Sequence, residues 1–131
     1  MNQKEVPLDR IRRALANQNP WWSTGKVPLP LLCSYKRRDF YPLMGNLVDE
    51  RILVITGPRR AGKTTIMYQM IDELLSAKQI EPRRVLFVSF DYPYLLANLD
   101  RPFEDILRAY TETILKESLE NLTERVYIFL D

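Results

Sequence analysis

Three short apolar runs alternate along the chain with segments whose apolar residues recur at helical spacing. The runs cover residues 52–56, 85–90 and 126–130, and they are rich in the β-branched and aromatic residues that favour strands. Between them, residues 63–77 and 102–117 carry apolar side chains at intervals of three and four positions. Uninterrupted apolar runs are typical of strands that are covered on both faces. The pattern predicts an α/β fold in which helices flank a parallel sheet.

The first third of the chain has a different pattern. Residues 7–17 show a short amphipathic repeat, which Pro20 ends, and this predicts a helix. Trp21 and Trp22 follow in a proline-bounded segment, where two adjacent indoles favour an aromatic anchor over a ligand-stacking role. Residues 39–48 again have helical spacing and lead directly into the first apolar run. We therefore expect a helix and an extended arm over residues 1–36, before the main domain at 37–131.

The link between the first apolar run and the following helix reads G-P-R-R-A-G-K-T-T, which fits the phosphate-binding pattern G-x-x-x-x-G-K-[ST]. Glycines allow the backbone to turn its N–H groups towards a phosphate, and the positive end of the helix faces the same anion. Lys63 would reach the β- and γ-phosphates, and the hydroxyl of Thr64 would hold Mg²⁺. The residues predicted to bind the triphosphate are Gly57, Pro58, Arg59, Arg60, Ala61, Gly62, Lys63, Thr64 and Thr65.

The third apolar run ends on an acidic residue, Asp131. An apolar strand followed by aspartate, downstream of a phosphate-binding loop, is the Walker B pattern. It predicts that Asp131 and Thr64 hold Mg²⁺ together, and that Lys63 and Asp131 are the catalytic residues. Asp91 follows the second run at the same edge of the predicted sheet, where open α/β sheets bind ligands. Its position alone indicates proximity to the site and leaves a turn-capping role open.

Composition narrows the classes of protein that the chain can belong to. The sequence has one cysteine and no histidine, which excludes an internal disulfide, a Cys/His zinc cluster and a histidine-based triad. Its formal net charge is +2, and a balance this close to neutral does not support nucleic-acid binding. There is no apolar run of membrane-spanning length and no signal-peptide core, so we expect a cytoplasmic protein.

Several of these segments together resemble a known family. N-P-W-W, R-R-D-F, I-T-G-P-R-R-A-G-K-T-T and F-L-D occur here in the order found in a group of prokaryotic AAA-like P-loop ATPases, and the similarity spans residues 19–131. The resemblance implies ATP and Mg²⁺ as ligands, with Asp131 as the Walker B acid. Members of that group continue with a water-polarising glutamate, a sensor strand, later arginines and a further C-terminal domain. This chain then corresponds to the N-terminal portion of a longer protein, with a sheet incomplete at its C-terminal side.

These features suggest ATP hydrolysis that is coupled in the full-length protein to a partner or to a domain movement. We expect residues 1–131 alone to bind Mg–ATP without efficient turnover, since groups that act only in the transition state are absent from the chain. We expect the missing C-terminal domain or a second copy as the partner. Two alternatives stay open at this point: a nucleotide-dependent interaction module without catalysis, and a P-loop small-molecule kinase.

Overall fold

The computed structural model describes residues 8–32, 40–49, 62–90 and 99–131, and it contains helices on both faces of a small parallel sheet. The predicted strand at 52–56 lies outside these residues. The α-helices are α1 (Leu8–Gln18), α2 (Trp21–Thr24), α3 (Phe40–Asp49), α4 (Lys63–Ser76) and α5 (Pro102–Ala109). The strands are β1 (Val85–Val88) and β2 (Tyr127–Leu130), and 3₁₀ turns lie at Leu29–Leu31, Pro82–Arg84 and Leu119–Asn121.

β1 and β2 run parallel and pair directly, with Val85 opposite Tyr127 and Val88 opposite Leu130. All four residues of β1 are buried, as an apolar run covered on both faces requires. The described part of the chain is thus mixed α/β, in agreement with the predicted fold class. Both strands are shorter than predicted. β1 ends at Val88 instead of residue 90, and β2 begins at Tyr127 instead of residue 126.

Two apolar cores lie on opposite faces of the sheet. On one face, the side chains of Val85, Phe87 and Phe129 pack with α3, α4 and Trp21. On the other face, Leu86 and Val88 pack with α1, α5 and the segment after α5. The alternation along β1 follows from strand geometry, since successive side chains point to opposite faces. Full burial of each side chain in β1 contributes about 1.5–3 kcal/mol to folding.

The helix predicted at residues 102–117 changes its character part-way. It is α-helical only to Ala109, and Tyr110–Leu115 form a π-helix that Lys116 ends with a left-handed φ of 59°. The hydroxyl of Thr113 donates a 2.5 Å hydrogen bond to the carbonyl of Ala109, which the regular α-helical N–H of residue 113 would use. Such back-bonding by threonine competes with the helical ladder, and periodicity alone does not reveal it.

The arm after α1 is less extended than predicted. Pro20 precedes the single helical turn of α2, which ends at Gly25 with a φ of 82° in the left-handed region. A 3₁₀ turn follows at Leu29–Leu31. Trp21 is fully buried, and Trp22 stacks on Tyr110 with ring centroids 5.8 Å apart. Both indoles therefore fix the arm to the domain, as the anchor interpretation predicts.

Side chains from the end of α1 and the start of the arm pair with the backbone of β1 along the side that faces away from β2. The indole N–H groups of Trp21 and Trp22 both donate to the carbonyl oxygen of Val85, at 3.0 and 2.9 Å. The buried Asn19 side chain donates to the Phe87 carbonyl at 2.9 Å and accepts from the Phe87 N–H at 2.6 Å. These long-range hydrogen bonds replace the bonds that a neighbouring strand would make.

Candidate functional site

Helix α4 begins directly after a glycine in the left-handed conformation. Gly62 has φ 88° and ψ 12°, a region that a side chain disfavours. Its carbonyl accepts the first hydrogen bond of the helix from Ile66 N at 3.0 Å. The first N–H groups of a helix have no partner within the helix, and its dipole places partial positive charge at this end. The start of α4 therefore suits an anion.

Asp131 is held at the carboxyl end of β2 by its own backbone. Its N–H donates to the Val88 carbonyl at 2.9 Å, and its carbonyl accepts from the Phe90 N–H at 3.0 Å. These two bonds continue the parallel ladder past the last residue of each strand. The carboxylate thus projects from a fixed position at the edge of the sheet while its side chain stays exposed.

The two predicted magnesium ligands lie next to each other. The hydroxyl of Thr64, on the first turn of α4, donates a 2.8 Å hydrogen bond to Oδ2 of Asp131. The two residues are 67 positions apart in sequence, so the contact depends on the packing of α4 against the sheet. Ile66, Met70 and Phe129 belong to the core that fixes this packing. The arrangement brings a hydroxyl and a carboxylate together at the positive end of a helix.

Tyr68 is a neighbour of this pair that the sequence analysis did not single out. It follows Thr64 by four positions, which places both on one face of α4. Burial raises the pKa of the Tyr68 hydroxyl, and the negative charge of Asp131 raises it further. Its ring lies 4.9 Å from that of Phe87 and 6.5 Å from that of Trp21. The four-residue spacing from Thr64 is the signal that could have identified it.

The chemistry of this pair fits Mg²⁺. Magnesium prefers hard oxygen ligands and keeps several of its waters, so one carboxylate and one hydroxyl are a sufficient protein contribution. Within the described residues there is no group of three or more His, Cys, Asp or Glu side chains that could hold a metal. Within the described residues, the Thr64 hydroxyl and the Asp131 carboxylate are two hard oxygens at hydrogen-bonding distance from each other.

The structure places only part of the predicted site. Gly62, Lys63, Thr64 and Thr65 are described and partly exposed, and they form the start of α4. Asp131 lies beside them through its bond with Thr64. The predicted phosphate-binding residues Gly57, Pro58, Arg59, Arg60 and Ala61 and the candidate Asp91 lie outside the described residues.

None of the helices in the described ranges is both long and apolar enough to cross a membrane.

In the comparison with protein families, residues 49–131 match the family described as AAA domain. The matched region is more than half of the chain, and it runs from the end of α3 to Asp131. The search of curated proteins and the search of solved structures found no match.

Proposed function

Because this chain belongs to the AAA domain family, we propose that it binds ATP with Mg²⁺ and contributes the nucleotide site of an ATPase. Nucleotide binding of an ATPase-like kind follows from the family in general. The finer assignment is supported by one observation: the 2.8 Å contact between the Thr64 hydroxyl and the Asp131 carboxylate at the start of α4. The proposal includes ATP hydrolysis that is coupled to a partner or to a domain movement.

In this proposal each described residue has a distinct role. The N-terminal turn of α4 supplies backbone N–H groups and a favourable dipole to the phosphates. Lys63 adds a positive charge for the β- and γ-phosphates. Thr64 and Asp131 would hold Mg²⁺, which when bound neutralises charge on the phosphates. The proposal assigns phosphate binding to residues 57–65, of which the structure describes Gly62 to Thr65.

The Thr64–Asp131 hydrogen bond also has a consequence for metal binding. A hydroxyl that donates to a carboxylate keeps the two oxygens at hydrogen-bonding distance before any ion arrives. Thr64 and Asp131 would hold Mg²⁺, and the ion would supply positive charge to the phosphates. The backbone bonds of Asp131 to Val88 and Phe90 do not involve its carboxylate, which is therefore not needed to hold the backbone in place. We therefore expect nucleotide binding to depend on magnesium through Asp131.

The test is titration calorimetry with ATP, in the presence and absence of Mg²⁺, on the wild-type chain and on Lys63→Ala. Loss of one charge-assisted contact to phosphate costs about 1.5–3 kcal/mol, which corresponds to roughly ten- to a hundredfold weaker binding. Lys78→Ala is the matched control. It removes the same charge from an exposed position beyond the far end of α4, roughly 22 Å from Lys63 along the helix.

Asp131→Asn separates the metal from the phosphates. This variant keeps the backbone bonds to Val88 and Phe90 and removes only the charge. We expect it to lose the part of the affinity that Mg²⁺ adds, while binding without Mg²⁺ is not weakened, because the variant removes a negative charge from beside the phosphates. Equal ATP affinity for wild type, Lys63→Ala and Lys78→Ala would refute the phosphate assignment. We expect little phosphate release in the same samples, and efficient turnover by residues 1–131 alone would contradict the expectation that this chain binds Mg–ATP without efficient turnover.

A further inference from the structure

The backbone of β1 alternates between two sets of partners. Residues 86, 88 and 90 face β2, as the bonds from Phe90 N and to the Val88 carbonyl show. The groups that face the other way belong to Val85, Phe87 and Ser89. They are met by Trp21 and Trp22, by Asn19, and by Gln18, whose Oε1 accepts from Ser89 N at 2.7 Å.

A strand added at this edge would need the same backbone groups: the carbonyls of Val85 and Phe87 and the N–H groups of Phe87 and Ser89. The side chains of residues 18–22 and an added strand therefore exclude one another. The main chain of this segment offers no replacement edge, because Pro20 has no N–H and the next residues turn into α2. We call residues 18–22 the edge cap.

We propose that the edge cap blocks strand addition at β1, and that the partner it excludes is a second copy of this chain. β1 and the two residues after it read V-L-F-V-S-F, with neither the charge nor the proline that commonly protects an edge strand. Every copy presents the same strand, so two uncapped copies can pair β1 with β1 around a two-fold axis. The proposal does not depend on nucleotide binding.

Asn19 is the residue through which the proposal is best tested. It is 1% exposed, and its side chain makes both bonds to Phe87 and a third, at 2.7 Å, to the Leu15 carbonyl. Asn19→Ala uncovers the middle of the edge. We expect the variant to form dimers in a concentration-dependent way by analytical ultracentrifugation, whereas the wild-type cap keeps this edge from pairing.

Trp22→Phe is the matched control. It also removes one side-chain bond to β1, but the Val85 carbonyl keeps the indole of Trp21 as its donor. We expect this variant to associate no more than wild type. Amide hydrogen exchange gives a second measurement: at low protein concentration the Phe87 N–H should exchange about tenfold faster in Asn19→Ala, and it should be unchanged in Trp22→Phe.

A second change distinguishes strand addition from association through partial unfolding. Adding Ser89→Pro to Asn19→Ala removes an N–H that an added strand needs, whereas the bonds from Phe90 to β2 are retained. The Ser89 N–H occurs once in each copy, so a two-fold dimer would lose two hydrogen bonds. At about 1 kcal/mol for each bond, dimerisation should weaken at least tenfold. Association that is insensitive to Ser89→Pro contradicts the proposal.

A folded Asn19→Ala variant that associates no more than Trp22→Phe overturns the proposal. Circular dichroism and thermal unfolding establish whether the variant is folded. If Asn19→Ala does not fold, Asn19→Ser takes its place, because its shorter side chain cannot reach both backbone groups of Phe87. A folded Asn19→Ser chain with the association behaviour of wild type then overturns the proposal.

Discussion

Arg84 joins the start of β1 to the segment that precedes β2, and its replacement by methionine tests how strongly this link stabilises the fold. Its side chain is 5% exposed. It donates hydrogen bonds to the Glu117 carboxylate, to the Thr123 hydroxyl at 2.8 Å and to the Glu124 carbonyl at 2.9 Å. A methionine side chain of similar length would fill much of the space and make none of these bonds.

The expected loss lies below that for a fully buried ion pair. Removing one partner of such a pair costs about 3–5 kcal/mol, because it leaves a buried charge without compensation. Glu117, however, is 24% exposed and keeps the N–H and hydroxyl of Thr123 as donors, at 3.0 and 3.1 Å. Three lost hydrogen bonds at about 1 kcal/mol each then set the scale. We expect Arg84→Met to lower the free energy of unfolding by about 2–3 kcal/mol.

Urea denaturation followed by circular dichroism measures this change, and Arg83→Met provides the control. Arg83 is the adjacent residue, and its side chain is 53% exposed and paired with Glu81. An ion pair at such exposure contributes about 0–1 kcal/mol. The same chemical change at two neighbouring positions should thus differ by roughly 2 kcal/mol in its effect. If the two variants lose equal stability, Arg84 does not link the strands in the way described.

Two further predictions concern Gly62 and the response to acid. Gly62→Ala should lower the free energy of unfolding in urea by about 1–2 kcal/mol, because Gly62 has a φ of 88° that a side chain disfavours. Gly45→Ala is the control within helix α3. It should raise the free energy of unfolding by about 0.5–1 kcal/mol, since an added Cβ meets nothing within 4 Å. Hydrogen bonds from Thr123 and the charge of Arg84 lower the pKa of Glu117 in the folded chain. Its contribution to stability is therefore present above the ordinary glutamate pKa and lost as the pH falls through the lowered value. The acid-dependent loss of stability in urea should be smaller in Glu117→Gln than in wild type, and identical pH profiles would contradict this assignment.

The elements that flank the candidate site could be predicted from the sequence to within a residue or two. Helix α4 was predicted at 63–77 and lies at Lys63–Ser76, and β2 was predicted at 126–130 and lies at Tyr127–Leu130. Both have local causes: a glycine that takes φ 88° before the helix, and an unbroken apolar run in the strand. The prediction that Thr64 and Asp131 share a metal remains a proposal, which their hydrogen bond supports.

Other features could not be predicted because they depend on contacts between distant residues. The sequence pattern identifies Trp21 and Trp22 as anchors but does not show that both donate to the Val85 carbonyl, more than 60 positions away. The spacing of apolar residues does not identify Asn19 as buried, because its side chain is a polar amide. The π-helix coincides with a hydrogen bond from the Thr113 hydroxyl to the Ala109 carbonyl, which the spacing of apolar residues does not indicate. Tertiary packing overrides helix propensity at such positions.

The edge cap and the candidate metal ligand contact the same short stretch of backbone from opposite sides. Ser89 N donates to Gln18, while the neighbouring Val88 carbonyl and Phe90 N–H hold the backbone of Asp131. Alternate residues of a strand direct their hydrogen bonds to opposite edges, so both partners can bind residues 88–90 together. The N-terminal segment and the backbone of Asp131 are thus hydrogen-bonded to the same three residues, and neither set of bonds competes with the other.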